Sequence, residues 1–109
     1  MKLIIAIVQD EDASRLLNEL MTEDYRVTKL ATTGGFLRSG NTTLLIGVEE
    51  DRCRKCLDII EKVCKSRRQI AANPVTLPVG GETMTSFPME VTVGGATVFV
   101  LNVEQFIKY

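Results

Sequence analysis

A chain of 109 residues is long enough to bury the core of one compact domain and too short to split into two. Its 13 lysines and arginines nearly cancel 14 aspartates and glutamates, which excludes a global field that draws it to nucleic acid or to a membrane surface. Histidine is absent, which removes the commonest general base, the commonest zinc ligand and every Ser/His or Cys/His nucleophile pair. The apolar opening run ends at "QDED", too early for a secretion signal, and no later run reaches the ~20 residues that cross a bilayer. Three cysteines in such a chain fit reduced thiols, and a soluble cytoplasmic protein is expected.

"KLIIAIV", Lys2 to Val8, is short, apolar and β-branched, and predicts a strand buried on both faces. Asp10 or Asp12 can cap a following helix, on which Ala13, Leu16, Leu17, Leu20 and Met21 form one apolar stripe. "YRVTKLATT", Tyr25 to Thr33, alternates as a second strand, and "TTLLIGV", Thr42 to Val48, makes a third. "EEDRCRKCLDIIEKVCK" is a second helix with its stripe at Cys53, Cys56, Leu57, Ile60, Val63 and Cys64. Acids open it and bases close it, as the helix dipole favours. From Arg67 to Pro88, three prolines and Gly80-Gly81 interrupt every period, so a long flexible loop is expected. "MEVTV-GG-ATVFVLNV" reads as a hairpin closed by Gly94-Gly95.

The order is the split βαβ pattern: an α+β, ferredoxin-like (βαββαβ) single domain over residues 1–109, with both helices on one face of an antiparallel sheet. The other face stays bare. With Val8, Leu30, Leu45, Val98 and Val100 expected there at least in part, it predicts contact with another subunit.

Two stretches invite chemistry. "CRKC" has the spacing of a redox or zinc motif, but both cysteines fall on the apolar stripe and no second pair completes a metal site, so packing is the favoured reading. "TTGGFLRSGN", Thr32 to Asn41, carries Phe36 and Leu37 at the tip of a connection where a plain turn could not bury them. It lacks the Lys-Ser/Thr ending of a P-loop and opens no helix. Arg26, Thr28 and Lys29 on the strand before it offer a fork of donors, a hydroxyl and an ammonium. Phe36 and Leu37 offer a platform for a base, and Asn41 an amide that matches an adenine edge. Gly47 leaves room on the strand after it. Together these suggest a small adenine-nucleotide site.

The chain resembles the PII-like cyclic di-AMP receptor proteins of Gram-positive bacteria, through "IIAIVQD", "RVTKLATTGGFLRSGNTT" and "EVTVGGATVFVLNV", from Met1 to about Val103. The resemblance implies a homotrimer of ferredoxin-like subunits with sheets packed inward and one cyclic di-AMP at each subunit boundary. It implies phosphate contacts from Arg26 and Thr28, and an adenine held by Phe36, Leu37 and Asn41. Gly35 and Gly47 give backbone contacts and clearance, and Phe99 lines the pocket from the last strand. Members close with a glutamine near the C-terminus; Lys108 stands at that place here. The implied function is sensing, with the loops passing the bound state to a protein partner, and with no cofactor, metal or catalysis. Two rivals are a PII-type sensor of ATP or ADP and a cysteine-based redox module.

Overall fold

The computed structural model describes residues 1–30, 40–75 and 85–109. In chain order the elements are β1 (Lys2–Gln9), α1 (Asp10–Thr22), β2 (Arg26–Leu30), β3 (Asn41–Val48), α2 (Glu50–Cys64), β4 (Arg67–Val75), β5 (Thr85–Val93) and β6 (Ala96–Asn102). Four strands form one antiparallel sheet in the order β2-β3-β1-β6, and β4 and β5 pair separately as a two-stranded ribbon. Two helices on an antiparallel sheet make a small α+β domain whose order is consistent with the ferredoxin-like pattern.

Register decides which side of the sheet each strand residue faces, because paired residues share a face and neighbours along a strand do not. Ile4, Ala6 and Val8 of β1 pair with Ile46, Leu44 and Thr42 of β3, and all six are buried. Over them pack Ala13, Leu16 and Leu20 of α1 and Cys56, Ile60, Val63 and Cys64 of α2. Each fully buried aliphatic side chain contributes about 1.5–3 kcal/mol by leaving water. The α2 stripe is therefore as read, and so is the α1 stripe at Ala13, Leu16 and Leu20, whereas Leu17 is half-buried outside the core and Met21 is 60% exposed at the end of α1.

The bare face needs correction. Val8 lies in the core, Val98 packs against it, and Val100, opposite Ile4, is on the helix side of edge strand β6. Of the five residues expected on the open face, Leu30 and Leu45 are there. The face is apolar through other residues: Leu3, Ile5 and Ile7 of β1, with Phe99 and Leu101 of β6. No described element covers these three β1 residues, so β1 is buried on one face and half-buried on the other.

Arg67 to Pro88 is also not loop throughout. β4 and β5 pair from Arg67↔Val93 to Val75↔Thr85, and residues 76–84 lie outside the described residues. Pro74 and Pro88 are tolerated because each strand of a two-stranded ribbon keeps one edge without a partner, where a missing N–H breaks no ladder bond. Gly94-Gly95 does not close a hairpin: β5 pairs with β4 and β6 with β1, so the pair turns the chain from ribbon to sheet. Both glycines take positive φ, 82° and 95°. At Gly94 a Cβ would stand 2.6 Å from Arg67 Nη1 and 2.8 Å from the Lys65 carbonyl oxygen. The ribbon extends the molecule to 69 × 27 × 21 Å, with a radius of gyration of 18.9 Å against about 13 Å for a compact chain of this length.

The root of the ribbon is tied to the start of α1. Arg67 donates from Nη2 to Asp12 Oδ1 at 2.7 Å and from Nη1 to Oδ2 at 3.2 Å, a fork on a buried carboxylate. Gly94 N donates to Gln9 Oε1 at 2.8 Å, and Gly95 N to the Cys64 carbonyl. Gln9, rather than an aspartate, is the N-cap residue of α1; Asp10 instead donates its N–H to the Gly40 carbonyl and accepts from Thr42 Oγ1 at 2.5 Å. At the other end Asp24 takes φ 64°, with Asp24 N bonded to the Met21 carbonyl and Tyr25 N to that of Leu20, both at 3.0 Å. This paired pattern closes α1 and aims Tyr25 at the start of α2.

Candidate functional site

A groove of about 610 Å³ opens where β2 and β3 meet the start of α2, within the size range of small-molecule sites. Its floor is apolar: Leu3, Leu45 and Val48. Arg26 and Thr28 of β2 line it because β2 alternates and both sit opposite open-face positions of β3, Gly47 and Leu45. Gly47 lies between Leu3 and Arg26, and a Cβ there would meet no atom within 4 Å. That space belongs to the groove. The remaining wall comes from Asp24, Tyr25, Glu49 and Arg52, and the rim from Val103 and Phe106 of the C-terminal tail.

Three of the residues expected in the site, Arg26, Thr28 and Gly47, are thus brought together. The others are not. Asn41 is on the same face of β3 as Gly47, but six residues along the strand, about 20 Å away at ~3.4 Å per residue. Phe99 shares the face and pairs with Ile5, yet stands three strands from Thr28, roughly 14 Å at ~4.8 Å per strand. Gly35, Phe36 and Leu37 lie outside the described residues, in the connection that ends at Gly40 beside Asn41. Lys108 is exposed in the tail and does not line the groove. Donors and amide, within sixteen residues of sequence, occupy opposite ends of one face because the register sets Arg26 against Gly47.

The residues that sequence reading missed form a connected wall. Tyr25 is buried; its hydroxyl donates to the Arg52 carbonyl at 3.1 Å, and the Arg52 guanidinium lies 4.1 Å above its ring. Burial holds the Tyr25 hydroxyl above its ordinary pKa. Arg52 Nη2 donates to the Glu23 carbonyl, while the Glu23 carboxylate accepts from Lys55 Nζ at 2.7 Å. That hydrogen bond is the main reason the Glu23 pKa is lowered and the Lys55 pKa raised. Nothing in "EEDRCRKC" distinguishes Arg52 from a solvated helix charge; the aromatic that holds it is twenty-seven positions away.

The cysteines behave as core residues. Burial pushes the Cys56 thiol up to about 12 and the Cys64 thiol to about 11, the opposite of what a redox nucleophile needs. The unfolded chain's thiols ionise near 9.0, so above that pH it releases protons that the folded core retains. Stability from this source is complete below pH 9 and declines towards 11–12. Urea midpoints should therefore fall on the alkaline side of 9, and less steeply in Cys56→Ala; equal slopes in the two proteins would show that Cys56 titrates as an ordinary thiol. Among the described residues, no three His, Cys, Asp or Glu side chains are placed to hold a metal ion, and no helix is long and apolar enough to cross a membrane.

Comparison with known proteins agrees with this architecture. The chain is similar to a crystal structure of a functionally unknown protein from Pediococcus pentosaceus ATCC 25745, at 46% identity and a TM-score of 0.77, over 99% of this chain and 96% of that one. A family model described as cyclic-di-AMP receptor matches residues 1–109. With its whole length matched, the chain belongs to the cyclic-di-AMP receptor family.

Proposed function

We propose that the protein is a cytoplasmic receptor that binds cyclic di-AMP at sites shared between two subunits of a homotrimer, and relays occupancy to a protein partner by loop rearrangement. The observation that carries this reading is the division of the site. One subunit presents Arg26, Thr28 and Gly47 at one end of its open face and Asn41 about 20 Å away at the other, by strand spacing. A second subunit turned about a symmetry axis lays its Asn41 end, with Gly35, Phe36 and Leu37, against the first subunit's groove. Phe99 then serves from β6 of either chain. The uncovered apolar face from Leu3 to Leu101 supplies the association surface.

The work is binding rather than chemistry. Donors meet phosphate, an apolar floor meets the ribose and base, and an amide reads adenine. The charge in the groove favours a dianion over a triphosphate, because Asp24 and Glu49 share the lining with Arg26 and Arg52. A PII-type ATP sensor would need more positive charge. Titration calorimetry separates them: cyclic di-AMP is expected to bind at least ~100-fold more tightly than ATP, equivalent to ~2.7 kcal/mol. Equal affinities, or tighter ATP binding, would favour the rival.

A further inference from the structure

We infer that Arg52 is a second phosphate-binding residue of this groove, partnering Arg26, an inference that rests on the cyclic dinucleotide reading above. The guanidinium is held from two sides: its face lies 4.1 Å over the Tyr25 ring, and Nη2 donates to the Glu23 carbonyl. Tyr25 is itself fixed, being 5% exposed and bonded back to the Arg52 carbonyl. The cation therefore arrives with much of its side-chain entropy already lost, which lowers the cost of ordering it on a ligand.

Among the described residues Arg52 enters no ion pair. The carboxylate of Glu23, whose carbonyl Arg52 engages, is itself held by Lys55 at 2.7 Å. A guanidinium carries five N–H donors, and the Glu23 carbonyl uses one nitrogen, leaving donors for a ligand. Arg52 and Arg26 both line the groove, one from α2 and the other from β2, together with the apolar Leu3, Leu45 and Val48. Two guanidiniums lining one groove match a ligand with two phosphodiesters, whereas a mononucleotide would leave one without a partner.

A purely structural role, stapling the α1–β2 turn to α2, is the competing account, so the test must move something that stapling does not. Cyclic di-AMP is titrated into the unmodified protein, Arg52→Gln and Arg52→Lys at low and high salt, with melting temperatures recorded for each. Arg52→Gln is expected to weaken binding roughly ten- to a hundredfold at low salt, the range for a lost charge-assisted hydrogen bond. Arg52→Lys should recover part of that loss, and the deficit of Arg52→Gln should shrink as salt screens the charge. Unchanged affinity in Arg52→Gln would overturn the assignment while leaving the receptor reading intact. Equal, salt-independent losses in Gln and Lys variants would also overturn it, in favour of the staple. No binding by the unmodified protein would remove the ligand reading and Arg52's role with it.

Discussion

Ile5→Asp is expected to convert a trimer into monomers and to abolish cyclic di-AMP binding in the same step. Ile5 sits at the centre of the open face, between Leu45 on β3 and Phe99 on β6, pointing away from both helices. In a lone chain the carboxylate would meet water, so the core under α1 and α2 would survive and the far-ultraviolet circular dichroism should not change. In the proposed trimer three copies of the charge would be packed together without counter-ions. Burying one unpaired charge costs several kcal/mol, enough to dissociate most assemblies of small subunits. Light scattering should report about three chain masses for the unmodified protein and for Ile5→Val, and one for Ile5→Asp. A monomeric unmodified protein, or a trimeric Ile5→Asp variant, would show that this face is not the association surface.

Arg67→Met is expected to produce the largest loss of stability among single surface-accessible changes. The substitution keeps the aliphatic stem and removes the fork that holds Asp12, whose carboxylate is 3% exposed. Breaking a buried pair from one side leaves an uncompensated charge, and typical costs are ~3–5 kcal/mol. Because the Arg67 side chain is about one-third exposed, some water reaches the pair, and about 2–3 kcal/mol is the appropriate expectation. A domain of this size should then melt some 10 °C lower. The double variant Asp12→Leu/Arg67→Met should recover most of the loss, since an apolar pair is often as stable as a buried ionic one. Hydrogen exchange at the root of β4 and β5 should rise in Arg67→Met and not in the double variant. An unchanged melting temperature in Arg67→Met would mean that the fork contributes nothing net.

These residues also show what the sequence could and could not reveal. The helical stripes were legible because two helices with a 3.6-residue period must bury one side, and Leu16, Leu20, Cys56 and Ile60 do. The face of Val8 was not, because "LIIAIV" is apolar at every position and alternation gives no parity. β4 and the start of β5 were hidden by Pro74 and Pro88, which break central strands but not the free edges of a ribbon, whereas residues 89–93 were legible as strand. The two-glycine turn was legible as a positive-φ corner, but its partner strands were not, since sheet membership is a long-range property. Arg26, Thr28 and Gly47 line one groove, while Asn41 stands at the far end of the same face, a separation set by register that nearness in sequence does not show. Arg52 required the Tyr25 contact to be seen at all.

The claim that the site is assembled from two chains is tested most directly by mixing subunits. Arg26→Ala and Asn41→Ala should each weaken cyclic di-AMP binding, by about tenfold or more, as a lost phosphate or base contact does. The two variants are unfolded together in equal amounts, refolded, and titrated as mixed trimers. If Arg26 of one chain and Asn41 of its neighbour serve the same ligand, random assembly rebuilds intact sites wherever an Asn41→Ala chain donates Arg26 to a neighbour that keeps Asn41, about one site in four. The account predicts that this fraction of the ligand binds with the affinity of the unmodified protein. Mixed trimers in which every site remains as weak as in the separate variants would contradict it, because they would place both residues on one ligand from a single chain.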